Sequence, residues 1–135
     1  MNYIKDVKLR NNSMYNMIVE IPKGTNSKFE LTENTFDKVE EVRKVYGKYP
    51  FYYGCFPQTL ADDGDALDCI LYTSSKHNSL DIVKVYPVGI IRTVDEGHED
   101  NKILCVEWNS KKLNLSNNSL ENIEIPNRIP NIISW

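Results

Sequence analysis

No apolar run in this chain is long: among the longest are Cys69-Ile70-Leu71-Tyr72 and the stretch from Val85 to Ile91, which Pro87 and Gly89 interrupt. Runs this short, cut by proline, glycine and acidic turns, favour strands over long helices. From Tyr15 to Leu31 the pattern MIVEIPKGTNSKFEL predicts two short strands in a hairpin-like unit, because Pro22, Gly24 and Asn26 fall at turn positions. Residues 33–48 stay open between a short amphipathic helix, from the spacing of Phe36, Val39, Val42 and Val45, and a strand that suits the same valines. The aromatic stretch YPFYYGCFPQTL is broken by Pro50, Gly54 and Pro57, and a strand begins near Leu67. Two further strands are expected over Asp81–Arg92 and Lys102–Trp108, with the acidic loop TVDEGHEDN between them. Strands at this spacing argue for a small barrel. From Asn109 onward Asn, Ser and Lys dominate, and Pro126 and Pro130 discourage a long helix.

A length of 135 residues sets one domain, residues 1–135, as the expectation, and 41% hydrophobic with 26% charged residues is an ordinary globular mixture. The formal net charge is −3, so no basic footprint for nucleic acid is present. All apolar runs are far short of a membrane span, and MNYIKDVKLR lacks an apolar signal region. Cys55, Cys69 and Cys105 have no CxxC spacing, which predicts reduced, mostly buried thiols and a cytoplasmic location.

Asp62-Asp63-Gly64-Asp65-Ala66-Leu67-Asp68 is the densest chemical signal. Carboxylates crowded on a glycine turn repel one another unless a divalent cation sits among them, while a solvated acidic turn is the competing reading. An EF-hand is excluded, because counting from Asp63 places Asp68 and Ser74 where glycine and glutamate are needed. A second acidic group, Asp95, Glu96, Glu99 and Asp100, leads to Lys102, and taken alone it reads first as a solvated hairpin tip. Glu20, Lys28 and Glu30 flank the first turn, where exposed cross-strand pairing is the plain alternative. The segment Gly24 to Lys28 lacks the spacing of a phosphate-binding P-loop. His77 and His98 have no partner at ligand or triad spacing, and no Gly-x-Ser-x-Gly elbow is present.

Taken together, IVEIPKGTNSKFEL, YPFYYGCFPQTLADDGDALDCIL and YPVGIIRTVDEGHEDNK, in this order across about residues 15–108, resemble the soluble inorganic pyrophosphatase family, type I. The resemblance implies a mainly β fold, a small five-stranded, OB-like β-barrel with little helix, and Mg2+-dependent hydrolysis of pyrophosphate to two phosphates. It further implies that Asp63, Asp65, Asp68, Asp95 and Asp100 hold divalent metal, with Glu20 and Glu30 helping through bound water. Lys28, Tyr53 and Lys102 match positions that contact the phosphates, and Asp65 matches the carboxylate that takes a proton from the attacking water. The family's arginine before Tyr-Pro has its counterpart in Arg43, at a shorter spacing to Tyr49.

Two further departures concern Ala66, which stands where the family has proline, and the C-terminal Tyr-Lys pair, which has no counterpart before Trp135. The shortened end implies slow turnover, or a metal- and phosphate-binding protein that acts with a partner chain. It also implies a homo-oligomer or a partner protein on the uncovered barrel face, with Ile125, Ile129, Ile132, Ile133 and Trp135 as a partial strap.

Overall fold

Where apolar residues alternate along a strand, one face must enter a core, and in this chain several strands bury both faces. The computed structural model describes residues 1–11, 14–61, 63–95 and 97–107. A short helix α1 (Tyr3–Asp6) precedes strands β1 (Arg10–Asn11), β2 (Met14–Ile21), β3 (Ser27–Leu31), β4 (Val39–Lys44), β5 (Tyr52–Cys55), β6 (Asp68–Tyr72), β7 (Ile82–Ile91), β8 (Val94–Asp95), β9 (His98–Glu99) and β10 (Lys102–Glu107).

Strand β2 pairs antiparallel with β5, β5 with β6, and β6 runs parallel to β10. Antiparallel pairing of β10 with β7, and of β7 back onto β2, closes a five-stranded barrel, and β1 extends the edge beside β2. The expected mainly β barrel with almost no helix is thus the observed fold. Met17, Val19, Tyr52, Phe56, Cys69, Leu71, Val83, Val85, Ile90, Ile103 and Cys105 fill its interior. A second core lies outside the wall, where Ile18, Cys55, Leu31 and Ile4 pack together with Phe36, Val39 and Ala66 against them. Each fully buried Ile or Leu contributes roughly 1.5–3 kcal/mol, so a wall with two buried faces gains from both. All three cysteines are free and buried.

Several sequence expectations are corrected. The unit from Tyr15 to Leu31 is not a hairpin, because β2 pairs with β5 and β7, whereas β3 pairs with β4 in a sheet of its own. Pro22, Gly24 and Asn26 turn the chain out of the barrel instead of back along it. The ambiguous segment 33–48 contains strand β4 and no helix, with its residues mostly exposed. The aromatic stretch hides strand β5, whose Tyr52 points inward while Tyr53 alternates outward. Helix α1 was not foreseen; the Asn2 side chain caps it by accepting from Lys5 N at 2.9 Å.

His77, for which no partner at ligand or triad spacing was expected, lies edge-on to Tyr52, with ring centroids 5.5 Å apart. Its Nδ1 lies 3.5 Å from Asp81 Oδ2 and its Nε2 lies 3.1 Å from Glu107 Oε1, the latter without hydrogen-bond alignment. Among the described residues no helix is long and apolar enough to cross a membrane. The expected strap through Ile125, Ile129, Ile132, Ile133 and Trp135 lies outside the described residues.

Gly54 sets how closely β5 can lie on β2. A Cβ built there would stand 1.9 Å from the Ile18 carbonyl oxygen, a backbone atom with no freedom to retreat. Gly54→Ala should therefore destabilise the fold by roughly 3 kcal/mol, the upper end of overpacking costs, in urea denaturation. A midpoint equal to wild type would mean that the two strands can separate without loss.

Candidate functional site

The period of two that points Val19, Tyr52, Cys69 and Ile103 into the barrel points Glu20, Tyr53, Asp68 and Lys102 out of it. These four come from β2, β5, β6 and β10, which are neighbours in the wall, so the outer surface collects them side by side. Register sharpens the placement: Ile21 pairs with Tyr53 and Cys55 with Asp68. Parallel pairing of β6 with β10 sets Cys69 beside Ile103, and thus Asp68 beside Lys102. Lys102 Nζ lies 3.4 Å from Asp68 Oδ2 and 3.1 Å from Asp100 Oδ2.

Loop 56–67 brings the remaining aspartates. Buried Thr59 donates to the Phe56 carbonyl at 2.7 Å and accepts from Leu67 N at 3.0 Å, which pins both ends of the loop. Within it, Asp65 N donates to Asp63 Oδ1 at 3.0 Å, and Ala61 N to the Asp65 carbonyl at 2.7 Å. Gly64 takes a φ of 88° at the tip, a conformation that glycine adopts without strain. Ala66 packs into the outer core beneath this loop, so the turn holds without the family's proline.

Strands β3 and β4 form the opposite flank. Lys28 pairs with Glu30 at 3.3 Å on β3, and Arg43 is the register partner of Lys28 on β4. Tyr49 and Tyr53 meet edge to face with centroids 4.9 Å apart.

Electrostatics tie these groups into one basin. The Glu20 carboxyl is pushed up to about 7, by desolvation first, with Asp68 and Glu30 adding repulsion; Leu31 N, which donates to Glu20 Oε2 at 3.0 Å, and the Cys55 thiol oppose the shift. Asp68 is raised by burial and by Asp100 and Asp63, against the pull of Lys102. Asp65 is raised by burial, then by Asp63, Glu30 and Glu33, with Lys28 opposing. Burial also holds the Tyr53 hydroxyl above its ordinary value, opposed by Lys102.

The structure thus brings Glu20, Asp68, Asp100 and Lys102 together, and Asp63, Asp65, Glu30 and Lys28 into their electrostatic reach. Among the described residues no three His, Cys, Asp or Glu side chains form a preassembled cation site. Asp95 is placed by its backbone opposite His98, and its side chain lies outside the described residues. The donor set is one of hard carboxylate oxygens that are raised first by burial and then by one another, a set that fits a divalent cation such as Mg2+. Sequence reasoning missed Cys55, whose buried thiol faces Glu20. Its spacing of two from Tyr53 on a strand was the available signal. It also missed Thr59, for which no motif exists, and Ser79, whose hydroxyl donates to the Glu20 carbonyl at 3.2 Å.

A family model described as inorganic pyrophosphatase matches residues 17–135. An inorganic pyrophosphatase of Picrophilus torridus is 39% identical over 92 residues, covering 67% of this chain and 51% of that protein. Another, of Sulfolobus acidocaldarius, is 39% identical over 103 residues, covering 76% and 60%. Among solved structures, an inorganic pyrophosphatase from Thermus thermophilus superposes with a TM-score of 0.76 at 27% identity, covering 84% of this chain and 66% of that one. A type I inorganic pyrophosphatase from Toxoplasma gondii gives a TM-score of 0.76 at 26% identity, covering 82% and 60%. The chain therefore spans between 51% and 60% of the length of those two curated relatives.

The raised Glu20 carboxyl has a measurable consequence. Between 4.5 and about 7 the folded state binds a proton that the unfolded state releases, so stability falls as pH rises through that window. The loss reaches about 3 kcal/mol at 1.36 kcal/mol per unit. In metal-free buffer the urea midpoint should drop from pH 5 to pH 7.5, and Glu20→Gln should flatten the slope. Added Mg2+ should restore more stability at pH 7.5 than at pH 5. A wild-type profile as flat as that of the variant would remove Glu20 as its source.

Proposed function

Because the chain belongs to the inorganic pyrophosphatase family, we propose that it is a Mg2+-dependent inorganic diphosphatase, hydrolysing pyrophosphate to two phosphates. The observation that carries this reading is one outer wall with surplus carboxylate charge beside lysines: Lys102 between Asp68 and Asp100, with Glu20 pushed up to about 7 beside them. Glu20, Glu30, Asp63, Asp65, Asp68, Asp95 and Asp100 would hold the metal, and Lys28, Arg43, Tyr53 and Lys102 the phosphates. Mg2+, when bound, neutralises pyrophosphate and makes water more acidic.

The chain's own groups then have separable tasks. Water oxygen bonds to one phosphorus, the bridging P–O bond breaks, and the proton released from water passes to the Asp65 carboxylate. A carboxyl held above its ordinary value by burial and by Asp63 is a better proton acceptor than a free one. Lys28 and Lys102 take up charge developing on the departing phosphate. Tyr53, a phenol protonated at neutral pH, donates a hydrogen bond to a phosphate oxygen. Arg43, across from Lys28, supplies a planar guanidinium suited to phosphate oxygens. Three buried free thiols suit a reducing compartment, so we place the activity in the cytoplasm. Exposed Val42, Tyr46, Tyr72 and Ile82 offer apolar surface for self-association or a partner protein.

Phosphate release from pyrophosphate, followed by malachite green, should require Mg2+. Asp65→Asn keeps the shape and removes the proton acceptor, so it should reduce turnover by about 10²- to 10⁴-fold while the circular dichroism spectrum is retained. Unchanged turnover would send the proton elsewhere. Mg2+ binding with no turnover in the wild type would make the chain a metal- and phosphate-binding protein instead.

A further inference from the structure

The match to the family model begins at residue 17, and the segment before it packs beneath the carboxylate basin. Ile4, 2% exposed, touches the outer core formed by Ile18, Leu31 and Cys55, against which Ala66 also packs. Two of those neighbours adjoin Glu20 directly: Leu31 N donates to its Oε2 at 3.0 Å, and the buried Cys55 thiol lies against its carboxyl. A third, Ala66, joins Asp65 to Leu67 and Asp68.

The segment is clamped from both sides. Tyr3 N donates to the Phe36 carbonyl at 2.8 Å, in the turn that joins β3 to β4. On the other side Gln58 N donates to the Ile4 carbonyl at 2.7 Å, Gln58 Nε2 to the Lys5 carbonyl at 2.9 Å, and Leu9 N to Gln58 Oε1 at 3.4 Å. Gln58 holds a φ of 55°, a left-handed backbone that a glutamine adopts only where its surroundings hold it. It lies in the loop that carries Asp63 and Asp65. One short strap thus bridges the β3–β4 arm, the acidic loop and the wall beneath Glu20.

We propose that Ile4, held in place by the Tyr3 and Gln58 hydrogen bonds, is a positioning residue that fixes Glu20 and the 63–68 loop for a divalent cation. Ile4 touches neither metal nor substrate. It acts through Leu31, Cys55 and Ala66, as outer partners of ligands do in other metal sites. This inference rests on the functional reading above.

Mg2+ binding to the folded, full-length protein, measured by calorimetry at 25 °C, tests it. Ile4→Ala should weaken Mg2+ binding roughly 10-fold, the lower bound for loss of an outer partner. Ile4→Val should restore near wild-type binding. Val7→Ala, in the same segment, buried but outside the Ile4 cluster, should lower thermal stability and leave the Mg2+ dissociation constant unchanged. Should Ile4→Ala not fold, Gln58→Gly carries the test. It keeps the left-handed backbone, removes both side-chain clamps, and should weaken Mg2+ binding by at least about 3-fold. In pyrophosphate assays Ile4→Ala should raise the Mg2+ concentration for half-maximal rate with kcat at saturating Mg2+ nearly unchanged.

Wild-type Mg2+ affinity in Ile4→Ala, or in Gln58→Gly if that variant is the one measured, overturns the inference alone. An equal loss of affinity in Val7→Ala overturns it too, because general loosening would then explain the effect. Failure of the wild type to bind Mg2+ overturns both the inference and the functional reading. A wild type that binds Mg2+ but leaves pyrophosphate intact overturns only the catalytic reading, and the calorimetric comparison still decides the role of Ile4.

Discussion

The structure depends on strand β2 being buried on both sides. Met17 and Val19 face the barrel interior while Ile18 faces the outer core, all three without exposure. A strand in that position cannot carry an outward charge cheaply, yet Glu20 follows at once. Its carboxyl is accepted only because Leu31 N and the Cys55 thiol meet it there. The outer core therefore supplies the dry surroundings that give Glu20 its affinity for a positive charge. Packing and electrostatics are the same arrangement seen from two sides of one wall.

The sequence made the barrel legible where an apolar run was bounded by polar or turn residues, as in β7 and β10. It failed where pairing is a long-range choice. Nothing in IVEIPKGTNSKFEL tells β3 to turn away from β2 and join β4, because local turn chemistry fixes a bend without fixing the partner. Tyr52 to Cys55 escaped because aromatic residues next to Pro50 and Pro57 read as punctuation, although their alternation is that of a strand. Residues 33–48 remained undecided because valines serve either period when the segment is short.

For the candidate site, residue types and their order were legible and their mutual placement was not. Asp68 and Lys102 are far apart in sequence, and only the parallel register of β6 and β10 makes them neighbours. Thr59 and Gln58 carry no chemical signature, since their work is to tie backbone segments together, and hydrogen bonds to main chain leave little trace in a motif. Cys55 was read by count and spacing as a reduced, buried thiol; it is buried, and the same burial puts it against Glu20.

The pairing of β6 with β10 also orders events in time. Lys102 Nζ reaches Asp68 across 34 positions of chain, with β7 and the β8–β9 hairpin lying between. Contacts of such separation form late, after the intervening loops have closed. During synthesis from the N-terminus the aspartates of the 63–68 loop are made well before the lysine that balances them. The nascent chain therefore passes through an interval in which Asp68 lacks the lysine that later pairs with it, with Lys28 as the cation already synthesised that faces the loop, and the ionic medium must screen the rest until β10 arrives.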